Sequence, residues 1–463
     1  MKTFFTKSAL YLALTIPAFF FLGCDDSEEG GSYEFSVEPT VLTFSAKQET
    51  QTLSVRTYGD WSIVLPQDAA WLKVSAMSGR GPAEIEVTAE NYYRTDTSRT
   101  ARLTVTGGNS GDFHVEVVQR KLQMNDLSAA GKANCYIVPT SGDFVIDAAT
   151  QGNSESEQVG EWTSAELLWE DNRELITDLY GDPESKRIFF STAAPGNAVI
   201  AVKDASGKIL WSWHIWATDF DPNAKTLKYT NDNGSTWEFM DRNLGAANAE
   251  SGSFGAFGLL YQWGRKDPFT AATAFAPENP SETIRWNMLN NPLPAMASDA
   301  DSMGTVQLSI EHPTSFYVTR YAHGDWNGQP DPNLWGAVSG QKTVYDPCPA
   351  GWRVPAYDAQ GDSPYAFVTR QTTTGTDNIG RIYTDGNGND FLFPVAGSRV
   401  NGTGTLDCPG NYGSLWTATG KTTSNEDGTI EYGCLLFFTT GRLVSATYYD
   451  TRSQGVSVRC VKE

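Results

Sequence analysis

The chain has 463 residues and sets 34 Lys and Arg against 55 Asp and Glu, a formal net charge of −21. So acidic a chain argues against nucleic acid or anionic lipid headgroups as partners, since both repel it. With 43 Gly, 22 Pro and 12% aromatic residues the composition suits short strands joined by many turns, and the length points to several domains.

The N-terminus reads MKTFFTKSALYLALTIPAFFFLGCDDSEEGGS. Lys2 and Lys7 precede an apolar run from Ala9 to Leu22 that is too short for a permanent membrane span. Residues 1–23 therefore read as a signal peptide. The run ends in Phe21-Leu22-Gly23-Cys24, which resembles the bacterial lipobox. That resemblance implies that Cys24 is diacylated through its sulfur and becomes the first mature residue; an ordinary secretory signal is the alternative. Residues 24–32 form an acidic tether, and Asp25, Asp26, Ser27, Glu28 and Glu29 resemble the signal that exports Bacteroidetes lipoproteins to the cell exterior. The expected location is the outer membrane, lipid-anchored and facing outward, with no other contact with the bilayer. Loss of residues 1–23 removes two lysines and no acids, so −21 becomes −23.

Residues 33–121 alternate with period two. Leu53 and Val55, Ile85 and Val87, Leu103 and Val105, and Phe113, Val115 and Val117 are separated by polar residues, which predicts a β-sandwich. Trp61, the run Ala70-Trp71-Leu72, SGRGPAEIEV, Asn91 and the closing VEVVQRK resemble the BACON domain of Bacteroidetes surface proteins. The resemblance implies either carbohydrate or mucin binding, or a spacer. Trp61 and Trp71 are expected in the core, where large aromatics dominate small sandwiches.

Residues 122–223 read as a second β-sandwich-like module. In KILWSWHIWATD, Trp211, Trp213 and Ile215 alternate with Ser212, His214 and Trp216, so apolar groups fall on both faces. That pattern predicts a central strand buried on both sides. The run resembles a segment of Bacteroidetes lipoproteins related to fimbrillins. This implies pilus subunits as partners, joined by strand exchange.

Residues 224–463 carry six motifs in order: WEFMDRNLGAAN, GLLYQWGRKDPF, YDPCPAGWRVP, FLFPVAGSRV, GSLWTATG and GVSVRCVKE. Together they resemble the Fibrobacter succinogenes major paralogous domain, a C-type-lectin-like family. The resemblance implies that first and last strands lie side by side and that a Cys348–Cys460 disulfide clasps them. A second bridge, Cys408–Cys434, is expected in an oxidising compartment. Cys135, in KANCYIVP, reads as a small buried hydrophobe. The fold class is thus mainly β with an α+β C-terminal part: two sandwich modules followed by a lectin-like domain. The long polar stretch 270–344 has few strand signals.

Ligand chemistry is expected in the irregular region before the last strand. Tyr448, Tyr449, Asp450, Arg452, Asn411 and Tyr412 combine aromatic faces with amide and charged groups, which suits sugar stacking and hydroxyl bonding. In TDGNGNDF, Asp385, Asn387 and Asn389 offer alternating oxygens like the start of a calcium loop, but the same residues suit a tight hairpin, and both readings stay open. No other cofactor is expected. Gln329-Pro330-Asp331 matches a lectin sugar triplet but precedes Cys348, the wrong order for that role. The four histidines, His114, His214, His312 and His323, fit no catalytic spacing, so a non-enzymatic role is expected. The expected function is adhesion, with a glycan or glycoprotein as ligand. The alternative is an assembly component of a pilus or nutrient-uptake complex that recognises only protein neighbours.

Overall fold

The computed structural model describes residues 35–463 apart from 94–96, 108–110, 275–277, 279, 300–303, 319–323, 371–379, 427 and 442. Cys24, the signal segment and the acidic tether lie outside the described residues. The described chain is mainly β, with short helices at Val306–Glu311 and Phe367–Arg370. It divides into two compact units, the second being Leu122–Glu463.

In the first unit a four-stranded sheet faces a five-stranded one. The period-two pattern sets the faces: Leu53, Val55, Ile85, Val87, Leu103, Val105, Val115 and Val117 are buried together, while their strand neighbours point to water. Trp61 fills this core and donates its indole N–H to the Gly81 carbonyl at 3.0 Å. Position 79 must be glycine here, because a Cβ would sit 2.4 Å from the Trp61 ring. Trp71 is only partly buried, with the Arg99 guanidinium 4.2 Å above its ring.

The second unit begins with two four-stranded sheets. One orders Asn125–Asp126, Gly142–Asp147, Arg187–Thr192 and Ile176–Asp182; the other orders Cys135–Val138, Ile209–Ala217, Gly196–Lys203 and Ser164–Glu170. The tryptophan strand lies inside the second of these and is covered on both faces. Trp211, Trp213 and Ile215 join Tyr136 and Val138 in the core between the sheets. Trp216, with Cys135, Trp169 and Val199, joins a different core that also holds Leu260, Trp263, Phe269 and Trp335. Residues 122–223 and 224–463 were expected to be separate modules, but the structure packs them as one unit. A sheet apolar on both faces must be covered twice, and residues beyond 223 supply the second cover. Buried polar contacts stitch the seam. Lys266 donates to the Ser212 carbonyl at 2.9 Å, and Asn197 donates to the Gly245 carbonyl at 3.0 Å. Asn134 donates to the Val344 and Asp346 carbonyls at 2.6 and 2.8 Å. His214 meets Asn197 at 2.9 Å, and burial depresses its pKa to about 3, so it stays neutral.

Within residues 224–463, Val461–Lys462 lies between Thr236–Met240 and Trp352–Arg353, and Thr226–Thr230 completes that sheet. Cys348 and Cys460 form a disulfide, their Cα atoms 6.0 Å apart. The proline-rich run is held before the bridge closes. Buried Asp346 accepts the amides of Cys348 at 2.8 Å and Val354 at 2.9 Å, and Lys342 caps the Cys348, Pro349 and Trp352 carbonyls. The stretch 270–344 supplies core: Phe316, Tyr317, Trp326, Leu334 and Trp335 are all buried.

The second expected bridge is not formed; Cys408 and Cys434 are both free thiols. Register explains why. Tyr412 pairs with Thr439, so Cys408 lies beyond that end of the ladder, whereas Cys434 lies five residues back along the partner strand. Five strand residues span about 16 Å, and a disulfide needs Cα atoms within about 7 Å. Cys135 is also a free, buried thiol, and burial raises its pKa far above the ordinary value. Alkylation of native protein should therefore label half-buried Cys408 and spare Cys348 and Cys460. Intact mass reads this directly, and labels on both of the latter pair would contradict the bridge.

Candidate ligand-binding site

A six-strand path carries the candidate surface, in the order Leu406–Asp407, Ser398–Arg399, Gly455–Ser457, Tyr412–Asn425, Gly428–Thr439 and Val444–Thr451, with Leu260–Gln262 paired to Gly455–Ser457. Val444–Thr451 is its edge. Tyr448 and Tyr449 are 44% and 40% exposed although they are consecutive. A regular strand would turn one of them inward. The register between Val444–Thr451 and Gly428–Thr439 shifts between Leu435 and Phe437, an irregularity that twists an edge and re-aims its side chains.

The two tyrosines belong to a longer row of rings. Tyr412 meets Phe437 at 5.5 Å, Phe437 meets Tyr448 at 4.9 Å, Tyr448 meets Tyr449 at 6.2 Å, and Tyr449 meets Tyr432 at 4.9 Å. Lys421 places its ammonium 3.7 Å from the Tyr449 ring centroid. Phe437, Tyr448 and Tyr449 stack against one another, so much of each face is already used. The row therefore offers solvent ring edges, phenolic hydroxyls and one cation. That is chemistry for apolar coverage combined with hydroxyl bonding.

The other expected residues fare differently. Arg452 is a correction: it is fully buried, with Nη1 3.0 Å from Asp325, Nη2 2.9 Å from Glu431, and its guanidinium 4.3 Å over Trp263. A charge goes inside only when opposite charges meet it there, as these two carboxylates do. Asp450 is half-buried, desolvation raises its carboxyl pKa, and it accepts the Thr451 amide at 2.7 Å. Tyr412 spends its hydroxyl internally, against Ser398 at 2.7 Å and Asp407 at 3.1 Å. Asn411 is exposed, and its carbonyl accepts the Thr440 amide at 3.0 Å near the far end of the ladder. Of the expected set, only Tyr448 and Tyr449 form the exposed centre. Lys421, Tyr432 and Phe437 were not anticipated. No local pattern marks them, because Tyr412–Asn425 and Gly428–Thr439 do not alternate and the three residues meet the tyrosines only through strand pairing.

At the calcium candidate the structure forms the hairpin that the same residues suit. Asp385 accepts the amides of Asn387 at 2.9 Å and Asn389 at 2.8 Å, as well as the Asn389 side-chain amide at 3.0 Å. These contacts close the turn between Gly380–Thr384 and Asp390–Pro394, with Gly388 at φ +83°. Among the described residues no group of three or more His, Cys, Asp or Glu is arranged to hold a metal ion. Asp331 likewise closes a turn, accepting the Asn333 amide at 2.8 Å.

Residues 61–120 match the BACON family, described as "Putative binding domain, N-terminal". The chain is thus a mainly β protein with a BACON module in its first unit. No curated protein matches it. Among solved structures it is similar to a Bacteroides ovatus GH5 xyloglucanase in complex with a XXXG heptasaccharide, with 25% identity over 23% of this chain and 27% of that one, at a TM-score of 0.18. A protein from Bacteroides thetaiotaomicron shares 19% identity over 22% of this chain and 100% of that one, at a TM-score of 0.16. The E. coli chaperone DraB shares 11% identity over 40% and 96%, also at 0.16. Likenesses of this size carry no argument about function.

Proposed function

We propose that the chain is an outer-membrane lipoprotein, anchored through acylated Cys24, that binds a carbohydrate or glycoprotein through a C-type-lectin-like fold over residues 224–463. The exposed Tyr448–Tyr449 ledge carries this reading, because it is the expected ligand surface that remains open to solvent. The lectin-like reading is supported by the final strand lying beside Thr236–Met240 and by the Cys348–Cys460 clasp. The BACON match supports a binding role for residues 61–120. In this reading the ligand presents several hydroxyls to the phenols and an apolar face to the ring edges.

The test is mature protein, residues 24–463, on immobilised mucin and a glycan panel. Tyr448→Ala with Tyr449→Ala should weaken binding at least about tenfold and leave the melting temperature within a degree or two. Equal binding by the double variant would sink the reading. Binding to no glycan, with co-purification of pilus or transporter proteins, would favour the assembly role instead.

A further inference from the structure

A second concave surface shares no residue with the tyrosine ledge. The loop of residues 153–157 and the stretch 331–345 enclose a pocket of about 470 Å³, within the size range of small-molecule sites. Its walls are pinned by their own hydrogen bonds. The Asn333 side-chain oxygen accepts the amides of Val338 and Ser339 at 3.1 and 2.8 Å, and the Trp335 indole donates to the Tyr345 carbonyl at 3.1 Å. Opposite, the Ser154 hydroxyl accepts the amides of Ser156 and Glu157 at 3.1 and 2.9 Å. Walls held in this way spare a ligand the cost of ordering them.

The polar groups left over on the lining form a set of donors and acceptors. Glu157 and Asp331 are exposed, and among the described residues no cation pairs with either carboxylate. Lys342 also lines the pocket, but its ammonium is spent on the Cys348, Pro349 and Trp352 carbonyls. The half-buried Tyr345 hydroxyl has no partner among the described residues. Burial and the charges of Glu157 and Asp331 raise its pKa, so it stays a donor. Its ring lies 6.3 Å from that of Trp211, which fixes where the hydroxyl stands. Gln341 adds an exposed side-chain amide. Asn153 donates to the Lys342 carbonyl at 3.4 Å, while its Oδ1 is shut off from water and takes no donor among the described residues. Buried polar atoms are nearly always bonded, so this oxygen marks a place for an incoming O–H or N–H.

Carboxylates and an amide oxygen call for O–H donors, whereas the phenol and the Gln341 amide call for oxygen acceptors. Neighbouring sugar hydroxyls answer both demands, because each one donates and accepts. An anionic ligand meets two carboxylates that no local cation offsets, so its charge counts against it. We propose that this pocket binds one neutral sugar residue through its hydroxyls, needs no metal to do so, and rejects acidic sugars. Asp331 keeps one oxygen for the Asn333 amide and offers the other. Gln329 and Pro330 lie outside the lining, so the contact is not that of the lectin triplet. The pocket works whether or not the tyrosine ledge binds a glycan.

The test follows mature protein by saturation-transfer NMR, with EDTA present, against methyl glycosides of neutral hexoses and N-acetylhexosamines and against the matching uronic acids. At least one neutral sugar should bind with millimolar affinity, and its uronic acid should bind at least about tenfold more weakly at low salt. Tyr345→Phe keeps the ring beside Trp211 and removes the donor, so it should weaken binding about fivefold at an unchanged melting temperature. Glu157→Gln should narrow the gap between the neutral sugar and its uronic acid. The Tyr448→Ala, Tyr449→Ala variant should bind the monosaccharide as the native protein does. No neutral sugar bound at about 50 mM, far above the millimolar range, overturns the proposal, as does binding unchanged by both Tyr345→Phe and Glu157→Gln. Monosaccharide binding lost with the two ledge tyrosines also overturns it, and assigns the sugar to the ledge.

Discussion

Cys348→Ser should lower the melting temperature of the Leu122–Glu463 unit by roughly six degrees and leave the transition of the first unit in place. The bridge spans 112 residues, and closing so long a loop stabilises by on the order of 4–5 kcal/mol in the chain-entropy account. That is comparable to the lower end of a domain's whole stability, about 5 kcal/mol. The local structure adds to the effect. Val461–Lys462 is held by few ladder contacts, to Phe239 on one side and to Trp352 and Arg353 on the other. Without the covalent tie this short strand frays, and the core residues beside it lose their cover. Scanning calorimetry of mature protein reads both transitions, and an unchanged upper unit would refute a stabilising role for the clasp.

Arg452→Met should cost about 3–5 kcal/mol, because it strands a carboxylate inside the protein. Asp325 and Arg452 are each almost wholly buried and meet at 3.0 Å. Chemical denaturation measures the loss. Arg452→Met combined with Asp325→Leu should recover part of it, since the wholly buried carboxylate is gone and only Glu431, which is 14% exposed, is left without its cation. Lys421→Met serves as control: its ammonium is exposed, so stability should move by under about 1 kcal/mol. Were Arg452 a ligand contact, Arg452→Met would reduce binding at unchanged stability. The geometry requires the reverse order of effects.

These residues mark how far the sequence could be read. The first unit was legible because a small sandwich with one wet face writes its pattern into every second residue, as at Leu53, Val55, Ile85 and Val87. The tryptophan strand was legible for the opposite reason: apolar groups on both faces leave no side for water. What covers it was not legible, because Trp216 meets residues such as Trp263 and Phe269 that no local period connects to it. Arg452 misled for the same reason. Its partner Asp325 is 127 residues away, and an arginine beside two tyrosines otherwise looks like surface chemistry. Cys408 and Cys434 were judged by number and compartment, whereas pairing is decided by ladder register. The tyrosine ledge was half visible. Tyr448 and Tyr449 stood out by type, but Tyr432 and Phe437 join them only once the strands fold together.

The twice-covered sheet also dictates where this architecture tolerates exchange. A fragment cut after residue 223 would carry a naked greasy flank, and the remainder would lose the wall against which Trp263 and Trp335 settle. An exchange of modules that keeps both cores intact should therefore fall at the joint of Lys121 and Leu122, with residues 122–223 travelling together with residues 224–463.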